Sequence, residues 1–142
     1  MSSKVQELTQ LILALKKILP QGEKSAVVDP FTCLRVHVLE YILEHQHTEM
    51  KELSEFLSIT PPSTTSLINR LVRAGSIIRV QDKKDRRKVL LKITPKGKAM
   101  LTKGKEHIEE HMGKMFTVLS NTELDQFITI VKKLLISHGK SL

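Results

Sequence analysis

Apolar side chains recur along this chain at two different periods, and the change from one period to the other divides it into parts. Val5, Leu8, Leu11, Ile12, Leu15, Ile18 and Leu19 return every three or four residues, as on one face of a helix, until Pro20-Gln21-Gly22 stops the run. A second helix is predicted from Asp29-Pro30 through Val36, Leu39 and Ile42 to His45, with proline suited to a first turn. A third opens with Thr48 as N-cap and Glu49 at the positive end of the dipole, buries Met50, Leu53, Phe56 and Leu57, and ends at Ser58-Ile59. Thr60 caps a fourth that starts with Pro61-Pro62 and stops at Gly75, whose freedom to adopt positive φ suits a helix end. At 100° per residue Thr64, Leu67, Ile68, Leu71 and Val72 gather on one side of this helix, with Pro62, Ser66, Asn69, Arg70 and Arg73 opposite.

After Gly75 the period shortens to two, with Ile78 and Val80 in one run and Val89, Leu91 and Ile93 in the next, which predicts two strands. Between them Asp82-Lys83-Lys84-Asp85-Arg86-Arg87 is too polar for a core and forms the tip of a hairpin. Thr94-Pro95 opens a long helix carrying Leu101, Ile108, Met112, Met115, Phe116 and Leu119. Ser120 and Glu123 fit a capping box, with Leu119 and Leu124 as a hydrophobic staple, for a last helix through Phe127, Ile128, Val131, Leu134 and Leu135. The fold class expected is mainly α with a small β-hairpin wing (α+β): one domain over 1–142, its winged helix-turn-helix unit at 31–94 and dimerisation helices at 1–28 and 99–142.

Charge changes the picture more than composition does. The chain has 142 residues, 40% apolar and 27% charged, within the range of one globular domain. No apolar run reaches the roughly 18 to 20 residues that span a bilayer, no signal-peptide pattern opens the chain, and Cys33 is its only cysteine, so a cytoplasmic location and no membrane partner are expected. The net charge is +8, yet residues 61–105 alone hold 13 Lys and Arg against Asp82 and Asp85. The remainder is mildly acidic, so the positive excess lies in one third of the chain, the footprint of a site for a polyanion.

Helix, tight turn, helix and basic hairpin in that order suit double-stranded DNA, because a helix about 10 to 12 Å across fits a major groove about 12 Å wide. The N-terminal half of the recognition helix, 61–74, would meet base edges through Pro62, Ser63, Thr65 and Ser66, with Arg70 and Arg73 reaching phosphate or base. Hydroxyls both donate and accept, so they separate the four bases weakly, and modest direct readout is expected. At the wing, 81–88, Arg86 and Arg87 are candidates for a narrow minor groove, and Lys83, Lys84 and Lys88 for phosphates.

The stretch ELSEFLSITPPSTTSLINRLVRAGSIIRVQDKKDRRKVLLKITPKG resembles the signature region of MarR-type regulators. The resemblance rests on Leu53, Leu57, Thr65, Leu71, Gly75, the Asp85-Arg86-Arg87 tip and Thr94-Pro95-Lys96-Gly97; helix order and length extend it over the whole chain. It implies that the first and last two helices form an obligate dimer, that Arg87 enters the minor groove, and that Asp85 braces the wing through an ion pair. Ser66 departs from the pattern, since many relatives carry Arg or Lys there, which weakens the expectation of base contacts from it. The apolar stripes of the first and last helices independently call for a homodimer, whose two-fold axis would set two reading helices roughly 34 Å apart on a near-palindromic operator. The function implied is a ligand-responsive repressor; a weakly specific nucleoid-type binder and a zinc-responsive regulator are the alternatives.

Relatives of this kind bind small anionic or aromatic effectors, and Phe31, Tyr41 and Phe116 are the ring candidates for such a cleft. Cys33 and His37, like His107 and His111, stand four apart and share helix faces, which would suit a regulatory zinc site; otherwise no cofactor is expected. His107 to His111 also matches the order of an inverted zinc-protease motif, but so short a pattern arises by chance and needs a cleft and a further ligand. With no acid-base pair, nucleophile constellation or phosphate-cradling loop, an enzyme is not expected. Phe31, Leu34 and Val36 around Cys33 suggest a buried, inert thiol rather than a redox sensor.

Overall fold

A computed structural model describes residues 3–18 and 30–139. The Pro20-Gln21-Gly22 stop and Asp29 lie outside them. The elements in chain order are α1 (Ser3–Ile18), α2 (Pro30–Glu44), β1 (Thr48–Glu49), α3 (Met50–Leu57), α4 (Pro61–Arg73), β2 (Ile77–Gln81), β3 (Val89–Ile93), α5 (Pro95–Phe116) and α6 (Asn121–Ser137). They fall into two compact units, one through Ile108 and the other from Glu109.

The core of the first unit is where the apolar faces of the helices converge on the sheet. Val36, Val38, Leu39 and Ile42 of α2 meet Leu53 of α3, Leu67, Ile68 and Leu71 of α4, Ile77 of β2, Leu91 of β3 and Leu101 of α5. Gly104 lets α5 approach α2 closely, since a Cβ there would stand 2.5 Å from Val36 Cγ2. Phe56, expected inside, is 48% exposed and instead stacks on Tyr41 with ring centroids 4.3 Å apart.

The sheet has three antiparallel strands rather than two, in the order β1-β3-β2. β1 pairs Thr48 with Leu91 and Glu49 with Leu90, which places β3 in the centre. Two residues carry no readable period, so Thr48 passes for a helix cap in the sequence. In the fold it is fully buried, its hydroxyl donating to the His45 carbonyl at 2.8 Å. Glu49 is the N-cap of α3, with its N–H held by Glu52 Oε2 at 3.5 Å. β2 also turns the other way from the expected alternation: Ile77 is the buried residue and Ile78 is 47% exposed.

Thr48 apart, the expected caps form at Thr60, Gly75, Thr94 and Ser120. Thr60 accepts the Ser63 N–H at 3.3 Å, and Gly75 takes φ +75° beyond the end of α4. Thr94 Oγ1 accepts the Gly97 N–H at 3.0 Å and donates to Gly75 O at 2.6 Å, joining the end of α4 to the start of α5. In the second unit Ser120 accepts the Glu123 N–H at 3.3 Å while the Glu123 carboxylate receives the Ser120 N–H at 2.8 Å. The Ser120 N–H, and after it the Ser120 hydroxyl at 3.0 Å, donate to the ionised carboxylate and hold Glu123 below the usual carboxylate range.

α1 and α6 keep rows of exposed apolar side chains: Leu8, Leu11 and Ile12 on one, and Ile130 and Leu134 on the other, with Ile128 and Ile136 exposed on other sides of α6. Fully burying a Leu or Ile is worth about 1.5 to 3 kcal/mol, so rows of this size normally mark a protein contact.

Candidate nucleic-acid interface

The turn between α3 and α4 sets the reading helix. Ser58 ends α3 in left-handed backbone at φ 53° and ψ 39°, and the next amide, Ile59 N–H, returns to the Ser54 carbonyl at 3.3 Å. Behind the turn the buried Ser54 hydroxyl donates to Thr64 Oγ1 at 2.8 Å, and Thr64 donates in turn to the Thr60 carbonyl at 3.1 Å. This chain of hydroxyls clamps the first helix to the second, and it leaves no buried hydroxyl of the pair without a partner.

Every residue nominated on α4 is on the surface: Pro62, Ser63, Thr65, Ser66, Arg70 and Arg73 are all exposed. Two of them are already oriented. The Ser63 hydroxyl accepts from Thr60 Oγ1 at 2.9 Å, and the Arg70 guanidinium lies 3.9 Å from the centroid of the Phe31 ring on α2. Arg35 faces the same ring at 5.8 Å. Phe31, expected in a ligand cleft, instead carries this stack, which the sequence does not reveal because no periodicity relates α2 to the flank of α4.

The wing is held by its own backbone. Asp82 Oδ1 accepts the Lys84 N–H at 3.0 Å and Asp85 Oδ1 accepts the Arg87 N–H at 3.1 Å, two Asx turns in succession. Asp82 N–H donates to Lys88 O at 2.9 Å, Lys88 N–H to Asp85 O at 3.0 Å, and Gln81 Nε2 to Arg86 O at 2.6 Å. The brace of Asp85 is therefore a backbone turn; among the described residues its carboxylate enters no ion pair. The wing's ion pair is Lys88 Nζ to Glu49 Oε1 at 3.0 Å, tying the hairpin base to β1. That hydrogen bond, and with it the Glu49 charge, raises the Lys88 pKa above its ordinary value. Lys83, Lys84, Arg86 and Arg87 remain exposed at the tip.

Two contacts at the interface were missed in the sequence. Arg79 Nη2 on β2 donates to Asn69 Oδ1 on α4 at 2.5 Å, and Glu49 takes Lys88. The signal for Arg79 was its cation in a strand, on the same face as Ile77; its partner lies ten residues away across a turn.

The other sensing candidates resolve differently. Phe31 lies under Arg70, Tyr41 stacks on His45 at 4.0 Å as well as on Phe56, and Phe116 packs against Phe127 at 5.9 Å. Cys33 and His37 stand on α2 and His107 and His111 on α5, but among the described residues no three His, Cys, Asp or Glu side chains are grouped to hold a metal ion. Burial pushes the Cys33 thiol up from its ordinary value, which disfavours the reactive thiolate.

A tight helix pair followed by a basic antiparallel hairpin defines a winged helix-turn-helix protein. Residues 31–89 match the model of the MarR family. The chain is 28% identical over 120 residues, 84% of its length and 78% of the relative's, to an uncharacterized HTH-type transcriptional regulator, YkoM, of Bacillus subtilis strain 168. It is 25% identical over 119 residues, 84% and 77% of the two lengths, to the HTH-type transcriptional repressor MdtR of the same organism. The crystal structure of apo wild-type MarR from E. coli shares its fold, with a TM-score of 0.72 at 19% identity over 95% of this chain and 98% of that one. The chain is thus similar to the MarR family of DNA-binding transcriptional regulators across its winged helix-turn-helix, and to HTH-type transcriptional regulators over most of its length.

Proposed function

We propose that the protein is a homodimeric repressor of the cytoplasm that reads a near-palindromic operator, α4 entering the major groove and the tip of the β2–β3 hairpin the adjacent minor groove. The observation that carries this reading is the wing: Arg86 and Arg87 extend from a hairpin whose backbone is locked by Asp82, Asp85 and Gln81, so little ordering entropy is lost on insertion. Thr65, Ser66 and Arg73 meet base edges or phosphates from α4, and Lys83 and Lys84 add phosphate contacts that carry no sequence information. Dimerisation through 1–28 and 99–142 is supported by the exposed apolar rows of α1 and α6, and the name of MdtR supports repression. Among the described residues no helix is long and apolar enough to cross a membrane.

The test is selection of duplexes from a random pool by the purified protein, followed by titration against unrelated DNA. A regulator prefers its selected site by roughly 10³-fold or more, and the site carries two half-sites about one turn apart. Arg87→Ala is expected to cost about 1 to 3 kcal/mol of that binding with the fold unchanged. Equal affinity of the variant removes the minor-groove assignment, and the absence of any preferred duplex removes the reading as a whole.

A further inference from the structure

At 100° per residue Pro62, Ser66, Asn69 and Arg73 fall within a sector of about 60° on the side of α4 opposite its buried stripe. Asn69 carries the one amide of this sector, and an amide is the group suited to reading adenine. Its oxygen is already engaged, however: Arg79 Nη2 donates to Asn69 Oδ1 at 2.5 Å, which takes one of its two lone pairs and fixes the amide toward β2.

Arg79 belongs to β2, where it shares the face of the buried Ile77 and lies opposite Leu91 of β3. That face is turned toward the helices, so at the edge of the core its side chain reaches the outward side of α4. A guanidinium has five donors in a planar fork; with one bound to Asn69 the others remain for a second acceptor. No acid neutralises Arg79 among the described residues. Its place is also telling. A protein with a helix in the major groove and a hairpin tip in the next minor groove straddles the strand between them, and Arg79 stands where α4 and the hairpin join.

We propose that Arg79 is a DNA contact and that Asn69 is its positioning residue. Asn69 does not read a base; it aims the Arg79 fork at a bidentate acceptor of the duplex, either the two free oxygens of a phosphate or the O6 and N7 edge of guanine. The inference rests on the DNA-reading function proposed above and adds a residue pair to the interface.

The experiment measures affinity and its salt dependence for the duplex that the wild-type chain selects, with Arg79→Ala, Arg79→Lys, Asn69→Ala and the double variant, each checked for wild-type thermal unfolding. Arg79→Ala is expected to weaken binding about 10- to 100-fold. Asn69→Ala should weaken it about 2- to 10-fold, as an unfixed arginine must be ordered on binding, and should cost nothing more once Arg79 is gone. If the acceptor is phosphate, Arg79→Lys recovers most of the affinity, and Arg79→Ala lowers the slope of log K against log salt by about one. If it is guanine, lysine recovers little and the loss falls at one base pair of the site. Unchanged binding by Arg79→Ala, beside a weakened Arg87→Ala, overturns the contact. Additive losses from the two alanines overturn the positioning role, since Asn69 would then touch DNA itself. A wild-type chain that selects no duplex overturns the function reading and the pair together.

Discussion

Ser58 is the residue on which the angle between α3 and α4 turns. Its φ of 53° is a left-handed backbone that costs an L-residue with a Cβ about 1 to 2 kcal/mol and glycine almost nothing. Part of that gain returns through the greater freedom of glycine in the unfolded chain. Ser58→Gly is therefore expected to raise stability by about 0.5 to 1 kcal/mol, read as a higher urea midpoint at fixed protein concentration; a lower midpoint would show that the serine hydroxyl outweighs the strain. The same scale explains what reading the chain could and could not find at the interface. Arg86, Arg87, Lys83 and Lys84 are visible as charges in a turn, because a buried lysine or arginine without a partner is too costly for any fold to use. Their partners are not visible. Phe31 under Arg70, Glu49 against Lys88 and Asn69 against Arg79 pair residues from different elements, 39, 39 and ten positions apart, and no local rule links them.

At the scale of elements, the glycines of α5 separate close packing from open surface. A Cβ on Gly97 would lie 2.1 Å from the backbone oxygen of Ser76, which cannot yield without opening the Gly75-Ser76-Thr94 junction at the base of the wing. Gly97→Ala is expected to destabilise by about 2 kcal/mol or more, through overpacking against backbone. Gly113, in the same helix, has nothing within 4 Å of its virtual Cβ, so Gly113→Ala should stabilise by about 0.5 to 1 kcal/mol through helix propensity. Thermal unfolding of the two variants should thus shift in opposite directions, and a shared direction would contradict the packing described. The long periodic helices and their Thr60, Thr94 and Ser120 caps are legible in the chain, since those signals are local. β1 is not, because two residues have no period, and the burial of Ile77 over Ile78 is not, because both are apolar and the face of a strand is chosen by what packs on it.

For the whole molecule, α6 leaves Ile130 and Leu134, four positions apart on one face, more than half exposed, so the proposed dimer should fail when that face is charged. Leu134→Glu is expected to weaken self-association by about 100-fold or more, because a carboxylate would have to lose water without a partner. Sedimentation at several concentrations reads this directly, and a variant as dimeric as wild type would move the interface elsewhere. DNA binding should weaken in parallel, since two reading helices engage an operator only as a pair. The amino-acid sequence by itself determined the helices and their order, the hairpin, most of the helix caps and the concentration of positive charge between residues 61 and 105, and with these the resemblance to MarR-type DNA-binding regulators, because periodicity, capping and charge are properties of neighbouring residues. Only the tertiary structure decided that β3 is the central strand, that Asp85 braces the wing through the Arg87 amide rather than through an ion pair, and that the Asn69 amide is occupied by Arg79. Each of these depends on distances between segments brought together by the common core, and the free energy that sets them is the burial of Leu39, Leu53, Ile68, Leu71, Ile77 and Leu91 against one another, which no single segment contains.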